Sequence, residues 1–160
     1  MPKHATPPRI TPCQPLASVE VRNSPIHGLG VFAAIQLNKG DSVGWYDGRR
    51  YTAKQILKVD WNQKLTYLFG LSDSTTIDGG EGGNATRHLN HACAPNCEAV
   101  EEEDADGRVV VRIVALKRVR AGQELFIDYS LTADDSALPG DYACHCGARK
   151  CRGTMLGKAA

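Results

Sequence analysis

From Val19 onward, short apolar stretches alternate with polar residues and are separated by glycines and Asn or Asp turns. Residues 19–21 alternate strictly, and Arg108–Val119 is the longest strand-like run. Asp106-Gly107, just before that run, is typical of a β-hairpin turn. The pattern therefore predicts many short strands. Besides the strands at 19–21 and 108–119, strands are predicted at 31–33, 42–46, 65–71, 76–78 and 123–129. The strand at 65–71 is expected to be buried.

Two segments depart from the strand pattern. Thr52 can cap a short helix over Thr52–Val59, because Gln55 follows at the capping-box spacing. Residues 1–16 are rich in proline and predict an extended or poorly ordered tail. Many short strands with one or two short helices indicate a mostly-β or α+β domain.

Composition narrows the class of protein. A chain of 160 residues, 42% hydrophobic and 23% charged, is sufficient for one globular domain and short for two. The formal net charge of +1 provides no strong field for nucleic acid, so no direct nucleic-acid partner is expected. No apolar run approaches the roughly 18 residues of a membrane span, and no signal-peptide core follows Met1. We expect a soluble single domain with no membrane partner; its oligomeric state stays unknown.

Six cysteines raise the question of a metal site. Without a secretory signal, metal binding is favoured over disulfides or free thiols. Three cysteines, Cys144, Cys146 and Cys151, form a CxCx4C arrangement, which leaves a tetrahedral zinc one ligand short. The candidates for the fourth ligand are Cys93, Cys97, His91 and His145.

Two other segments concentrate polar chemistry. The stretch 84–97 follows the glycine-rich 79–83, which suggests a loop shaped around a ligand or another chain segment. Taken alone, its Asn90-His91 pair is more often structural. Tyr129 ends the apolar stretch 124–129, where a tyrosine is usually a core residue with its hydroxyl at the rim.

Taken in order, these segments resemble the SET-domain protein lysine methyltransferases with a post-SET zinc motif, especially the trithorax/mixed-lineage-leukaemia branch. Only residues 1–16 lie outside the resemblance. The matching segments are 24–32 (the opening segment), 45–48 (the Tyr-x-Gly strand), 76–78 with 83–97 (the Asp…GN-x-x-RFINHSCxPNC signature), 124–129 (ELxxDY) and 144–151 (the post-SET cysteines).

Three residues depart from the family pattern. Ala92 replaces the usual Ser, His88 replaces the usual Phe, and Arg49 stands where an acidic residue is common. None of them removes a group that the chemistry requires, although cofactor affinity and loop packing stay open.

The resemblance implies a fold and a domain division. The family folds as small curved β-sheets around a knot-like crossing, and a zinc-bound C-terminal segment follows. It implies a flexible tail over 1–16, a SET domain over 17–132 and a post-SET segment over 133–160. S-adenosylmethionine and the lysine peptide would bind on opposite faces, joined by a narrow channel.

The resemblance also assigns site residues. One structural zinc would bind Cys93, Cys144, Cys146 and Cys151, which leaves Cys13 and Cys97 without a role. Met155 or Leu156 would cover the adenine, and Leu156 is taken as the prediction. The other cofactor-binding residues implied are His27, Gly28, Leu29, Tyr67, Asn90 and His91.

Catalysis by such a site would rest on tyrosines. Tyr129 would point its hydroxyl at the transferred methyl group and its ring at positive charge. Tyr46 would line the lysine channel, while Asp78 and Arg87 would be architectural. Ile127 occupies a position that limits the number of methyl groups, and its aliphatic side chain predicts di- or trimethylation.

The function implied is an S-adenosylmethionine-dependent lysine methyltransferase acting on a histone or another basic protein. The alternatives are a non-catalytic SET-like binding module and a zinc or redox sensor. The acidic stretch 98–106 could steer a basic peptide, although a solvated hairpin tip is the favoured interpretation. We expect a cytoplasmic location for a bacterial source, and a nuclear or chromatin-associated one for a eukaryotic source or for delivery into a host.

Overall fold

The computed structural model describes residues 11–12, 14–59, 67–131, 140 and 142–157. This part of the chain holds ten strands, one four-residue α-helix and one 3₁₀ turn, so the mostly-β prediction is confirmed. The elements are β1 (Val19–Asn23), β2 (Leu29–Ala33), β3 (Ser42–Trp45), β4 (Arg49–Tyr51), α1 (Ala53–Ile56), β5 (Leu68–Gly70), β6 (Thr76–Asp78), the 3₁₀ turn (Ala85–His88), β7 (Asn90–His91), β8 (Cys97–Glu103), β9 (Val109–Ala115) and β10 (Glu124–Ile127).

Three small sheets make up the described part of the fold, with the strand orders β1-β2-β10-β7, β3-β9-β8 and β4-β6-β5. Strands β7 and β10 pair in parallel, which places Phe126 beside Asn90 and Ile127 beside His91. The Asn96 side chain strengthens this pairing, because it donates to the Glu124 carbonyl and accepts from the Phe126 N–H. The segments 84–97 and 124–129 therefore run side by side at these strands, as the resemblance implied.

A single apolar core joins the three sheets. Val31 of β2, Ile77 of β6, Ile113 of β9 and Leu125 of β10 are all fully buried in it. Burial of such aliphatic side chains contributes about 1.5–3 kcal/mol each. The core therefore holds the ends of β2, β6 and β10 in fixed positions, and the candidate site residues lie near those ends.

Several predicted elements are shorter than expected, and the run Arg108–Val119, for example, gives a strand only at Val109–Ala115. The helix has the predicted capping box between Thr52 and Gln55 but extends only over Ala53–Ile56. Of the buried strand predicted at 65–71, the structure describes 67–71 and gives a strand at Leu68–Gly70. That strand lies at the edge of its sheet and Leu68 is exposed, so the prediction of burial is wrong there.

The N-terminal segment differs from the expected loose tail where the structure describes it. Thr11 donates its N–H to the Gly80 carbonyl at 2.7 Å, and Gln14 donates to the Gly83 carbonyl at 2.9 Å. Leu16 packs against Gly44 and the core. The glycine-rich loop has carbonyls that need donors, and this segment supplies them. The rest of the predicted tail, 1–10 and 13, lies outside the described residues.

The acidic stretch mostly belongs to a strand. It runs along β8, and the predicted turn at Asp106-Gly107 joins β8 to β9 with Gly107 at φ +77°. Glu102 pairs with Arg112 across the hairpin, and Asp104 accepts backbone N–H groups in the turn. These charges therefore stabilise the hairpin.

No helix in the described ranges is long and apolar enough to cross a bilayer.

Candidate active site

Two cavities meet at the side chains of Tyr129 and Met155. The larger, about 450 Å³, is lined by Tyr46, Tyr67, Leu68, Phe69, Gly70, Arg87, Ile127, Tyr129, Ser130, Leu131 and Met155. The smaller, about 230 Å³, is lined by Ile26, His27, Asn90, His91, Tyr129, Ala143, Cys144, His145, Cys146 and Met155. Tyr129 thus lies beside the predicted cofactor residues His27, Asn90 and His91.

Tyr129 follows β10 and is held from three directions. Its hydroxyl donates to the Leu89 carbonyl, and its backbone N–H donates to Nδ1 of His91 at 3.0 Å. Its ring lies beside the His91 imidazole, with centroids 5.4 Å apart. Burial, aided by the Glu124 carboxylate, raises the pKa of Tyr129 to about 12. The phenol therefore stays protonated near neutral pH.

Tyr46, just after β3, is the second phenol of the larger cavity. Its hydroxyl donates to the Tyr67 carbonyl at 2.6 Å, and its ring packs on Phe69 at a centroid distance of 5.1 Å. Burial raises its pKa far above the ordinary value of a tyrosine. The buried Ile127 adds an aliphatic wall to the same cavity. Both residues therefore line one cavity together with Tyr129.

Asn90 ties the loop before β2 to β10. Its side-chain amide donates to the His27 carbonyl, the Leu29 carbonyl and Oε1 of Glu124, each at 3.0 Å. Gly28 lies between the two carbonyls with φ +46°, a conformation that glycine adopts readily. Of the predicted loop residues, only His27 lines the smaller cavity. Gly28 and Leu29 lie beside it and shape the loop.

His91 lines the smaller cavity, but both of its ring nitrogens face protein groups. Nδ1 accepts from the Tyr129 N–H, so the proton of the neutral ring belongs on Nε2, which lies 3.5 Å from Sγ of Cys93. Burial lowers the pKa of His91, which favours this neutral ring. The imidazole therefore connects the Tyr129 backbone to the cysteine cluster.

Two predicted cofactor residues lie elsewhere. Tyr67 lines the larger cavity rather than the smaller, and its ring contacts the Arg87 guanidinium and the His88 ring. Leu156 lines neither cavity, whereas the neighbouring Met155 lines both. Met155 donates its N–H to the Tyr142 carbonyl and accepts from the Leu131 N–H, and its backbone forms a bend between the bridges at Thr154 and Leu156. These bonds hold Met155 against both cavities.

The cysteine cluster consists of Cys93, Cys144, Cys146 and Cys151. Their sulfur atoms all lie within 4.8 Å of one another, and Sγ of Cys93 is 3.7 Å from Cys144 and 3.9 Å from Cys151. A tetrahedral zinc with Zn–S bonds of about 2.3 Å would place its sulfurs about 3.8 Å apart. The donor set and its spacing therefore fit a zinc ion.

Cys97, one of the alternative ligands left open by the sequence, lies apart from the cluster. It is fully buried at the start of β8, and burial raises the pKa of its thiol to about 12. A buried thiol of this kind is a core residue rather than a reactive group. Cys13 lies outside the described residues.

An ion pair that sequence reasoning missed connects the cluster to Tyr129. Arg152 follows the last cysteine and binds both carboxylate oxygens of Asp128, at 2.9 and 3.0 Å. Its backbone N–H also donates to Sγ of Cys93. Burial opposes ionisation of Asp128, but Arg152 and the Ser130 N–H outweigh it and lower the pKa of the carboxyl. The only sequence signal was a cation beside the last cysteine.

Asp78 and Arg87 have the structural partners expected of architectural residues. Asp78 accepts the Gly80 N–H at 2.8 Å, and burial raises the pKa of its carboxyl. Arg87 donates to the Thr11 carbonyl at 2.7 Å and lies over the Tyr67 ring. Both residues support loops beside the larger cavity.

Comparison with known proteins finds a family model and relatives that match most of this chain. The family model described as "SET domain" matches residues 28–130. Human histone-lysine N-methyltransferase 2B is 33% identical over 139 residues, 84% of this chain and 5% of that protein. Histone-lysine N-methyltransferase trithorax of Drosophila melanogaster is 33% identical over 138 residues, 84% and 4% respectively. The H3 lysine-4 specific enzyme of Mycosarcoma maydis is 36% identical over 138 residues, 81% and 9%.

These relatives are much longer proteins, and this chain spans less than a tenth of each. Among solved structures, one described as "ctPRC2 in an autoinhibited conformation bound to S-adenosylmethionine" is similar in fold, with a TM-score of 0.62 and 27% identity. The match covers 69% of this chain and 15% of that one.

Proposed function

Because this chain belongs to the SET-domain family, we propose that it transfers methyl groups from S-adenosylmethionine to the ε-amine of a lysine in a protein. The observation that carries the proposal is the position of Tyr129 in a wall shared by two cavities. One cavity would hold the methyl donor and the other the lysine side chain. The relatives named as histone-lysine methyltransferases support a histone or another basic protein as substrate.

The smaller cavity would hold the cofactor. His27, Asn90 and His91 provide its inner wall, and Met155 rather than Leu156 provides the cover next to Tyr129. S-adenosylmethionine supplies an activated methyl group on a sulfonium, and the solved relative carries this cofactor. The protein's own task is to hold the loop at His27 and to present the methyl group toward Tyr129.

The larger cavity suits an uncharged amine. Among the described residues that line it, the ionisable groups are three tyrosines and Arg87, with no carboxylate. A free lysine has a pKa near 10.4, so deprotonating it at pH 7 costs about 4.6 kcal/mol. Burial and a neighbouring cation both favour the neutral form and offset part of this cost.

The two phenols would align the reacting atoms. Tyr129 and Tyr46 each give their hydroxyl proton to a backbone carbonyl, so their oxygen lone pairs are free to accept from an amine or a polarised methyl group. Alignment of this kind contributes about 7–11 kcal/mol in favourable intramolecular reactions. Ile127 leaves more room than a ring would, which supports di- or trimethylation.

One structural zinc on the four cysteines completes the proposal. Cys144 and Cys146 form part of the wall of the smaller cavity, and Cys93 contacts His91. The ion would tie the C-terminal segment to the loop after β7 and so close this cavity. Its contribution is to folding, since four thiolates leave no open coordination position.

The experiment that tests this function is methyl transfer from labelled S-adenosylmethionine to a histone mixture. We expect incorporation by the unaltered protein and a loss of about 10²–10³-fold in kcat for Tyr129→Phe. Tyr51→Phe is the matched control, because Tyr51 lines neither cavity. Full activity of Tyr129→Phe would contradict the role of the phenol.

A second outcome separates the alternative function. If the protein binds S-adenosylhomocysteine but labels no histone and no protein of a cell extract, a non-catalytic binding module is favoured. If it binds zinc but no cofactor, the sensor alternative is favoured.

A further inference from the structure

A carboxylate lies beneath the loop that forms one wall of the smaller cavity. Glu124, the first residue of β10, uses its two carboxylate oxygens on different parts of the chain. Oε2 accepts from the Ser24 hydroxyl at 3.0 Å, and Oε1 accepts from the Asn90 amide at 3.0 Å. Glu124 does not line either cavity, so its contacts with the site pass through Ser24 and Asn90.

Ser24 connects Glu124 to the wall of the smaller cavity. Its hydroxyl oxygen accepts the N–H of Ile26 at 3.1 Å and the N–H of His27 at 3.4 Å. Ile26 and His27 both line the smaller cavity. Because the Ser24 proton is directed to Glu124, the lone pairs of its oxygen are available for these two N–H groups.

Asn90 holds the other end of the same loop. Besides Glu124, its amide donates to the carbonyls of His27 and Leu29. The loop is therefore bound through its N–H groups by Ser24 and through its carbonyls by Asn90. Glu124 is the acceptor that both side chains share, so it sets their positions relative to each other.

Gly30 leaves room for the same carboxylate. A Cβ atom on Gly30 would lie 2.1 Å from Oε1 of Glu124 and 2.9 Å from its carboxyl carbon. No real contact is that short, so a larger residue would displace the carboxylate. The second glycine of the Gly-Leu-Gly segment therefore provides space for Glu124 rather than flexibility.

We propose that Glu124 is a positioning residue, which holds the 24–29 loop in the shape that binds the methyl donor by orienting Ser24 and Asn90. This inference rests on the proposed function, because it assigns the donor to the smaller cavity. Glu124 also acts on Tyr129, since its negative charge is one cause of the raised pKa of that phenol.

The test compares Ser24→Ala, Ser24→Thr and Glu124→Gln in the full chain. Ser24→Ala removes both the donor to Glu124 and the acceptor for two loop N–H groups, whereas Ser24→Thr keeps the hydroxyl. Glu124→Gln keeps the shape but places an amide group where two donors converge. The matched controls are Ser42→Ala and Glu20→Gln, both exposed and neither among the residues that line the two cavities.

The first readout is binding of S-adenosylhomocysteine by calorimetry. We expect the dissociation constant to rise about tenfold for Ser24→Ala and at least as much for Glu124→Gln, with Ser24→Thr and the controls near the unaltered protein. In the double variant the two effects should add only in part, because the variants share the Ser24–Glu124 bond but each also disturbs contacts of its own. In the methylation assay, KM for the donor should rise while KM for the peptide stays constant.

The second readout is amide hydrogen exchange over 24–29 without cofactor, where Ser24→Ala should exchange faster than Ser24→Thr. Unchanged binding in Ser24→Ala and Glu124→Gln would overturn the inference and leave the proposed function intact. A uniform loss of thermal stability and of all kinetic constants would also overturn it, in favour of a purely structural role. Failure of the unaltered protein to bind S-adenosylhomocysteine would refute the proposed function itself.

Discussion

The two cavities are lined by different kinds of structure. The larger is lined by residues on or next to strands, such as Tyr46, Phe69 and Ile127, which pack against the common apolar core. The smaller is lined by the 24–29 loop on one side and by 143–146 of the C-terminal segment on the other. Its walls are held by hydrogen bonds and by the cysteine cluster rather than by core packing.

This difference indicates how each half of the site responds to change. A cavity that shares the core is lost only when the fold is lost, because burial of the core residues is its main stabilisation. A cavity closed by a metal site and a few polar contacts can open while the sheets persist. The donor side of the site is therefore expected to be the more fragile half.

The largest expected effect comes from removing the metal. A strong chelator, or Cys144→Ser, should release the zinc and abolish measurable binding of S-adenosylhomocysteine, with the strand signal in circular dichroism preserved. Elemental analysis should give one zinc per chain beforehand. Cys97→Ala is the control, since it removes a buried thiol and should lower the melting temperature without lowering the zinc content. Cofactor binding that survives chelation would break the comparison.

A change confined to the larger cavity comes next. Ile127→Phe places a ring in a buried position of that wall, and Ile127 does not itself line the smaller cavity. We expect mass spectrometry of a methylated peptide to show at least about tenfold less trimethyl product, with binding of S-adenosylhomocysteine within about threefold. The ring should also cost about 1–3 kcal/mol of stability through overpacking. An unchanged product distribution would show that Ile127 does not limit the space for methyl groups.

A smaller effect is expected from weakening the ion pair between Arg152 and Asp128, which connects the cysteine cluster to Tyr129. Arg152→Lys replaces a bidentate partner of Asp128 with a single ammonium, which should lower the free energy of unfolding by about 0.5–1.5 kcal/mol. Chemical denaturation measures this loss, and affinity for S-adenosylhomocysteine should fall several-fold. Arg149→Lys, an exposed change beside the cluster, serves as the control. Equal effects of the two substitutions would rule out a specific role of the Asp128 pair.

The smallest effect concerns His88, where this chain departs from the family. Burial, and then the Arg87 guanidinium, lower its pKa, so the native state disfavours the charged ring. The unfolded state binds the proton more readily, and stability is therefore lost as the pH falls below about 6.5. His88→Phe should reduce the difference in melting temperature between pH 7.5 and pH 5.5. An unchanged difference would assign the acid sensitivity to other groups.

Local patterns were sufficient where neighbours in the chain decide the outcome. The capping box at Thr52, the turn at Asp106-Gly107 and a strand within Arg108–Val119 all appear in the structure, because each depends on contacts within a few residues. The ordered contacts of Thr11 and Gln14 could not be predicted in this way. Their partners lie about 70 residues away, in a glycine loop with no periodic signal.

The same distinction between local and long-range contacts applies to the candidate site. The resemblance pointed to Tyr129, Asn90 and the four cysteines, and the structure brings Tyr129, Asn90 and two of the cysteines to the smaller cavity. It did not indicate that Met155 rather than Leu156 enters the cavity, since both neighbours fit the motif equally well. The bonds of Met155 to Leu131 and Tyr142, and the bridge between Leu131 and Leu156, set which side chain faces the cavity.

The order of residues alone determined the family, the sheet-rich character and the inventory of reactive groups, since these depend on composition and spacing. Only the tertiary structure decided which groups meet. Ser24 and Glu124 stand 100 positions apart, yet one hydrogen bond joins them, because β2 and β10 pair in the same sheet. Contacts between distant residues depend on how strands are ordered and aligned in space, and no local pattern encodes that arrangement.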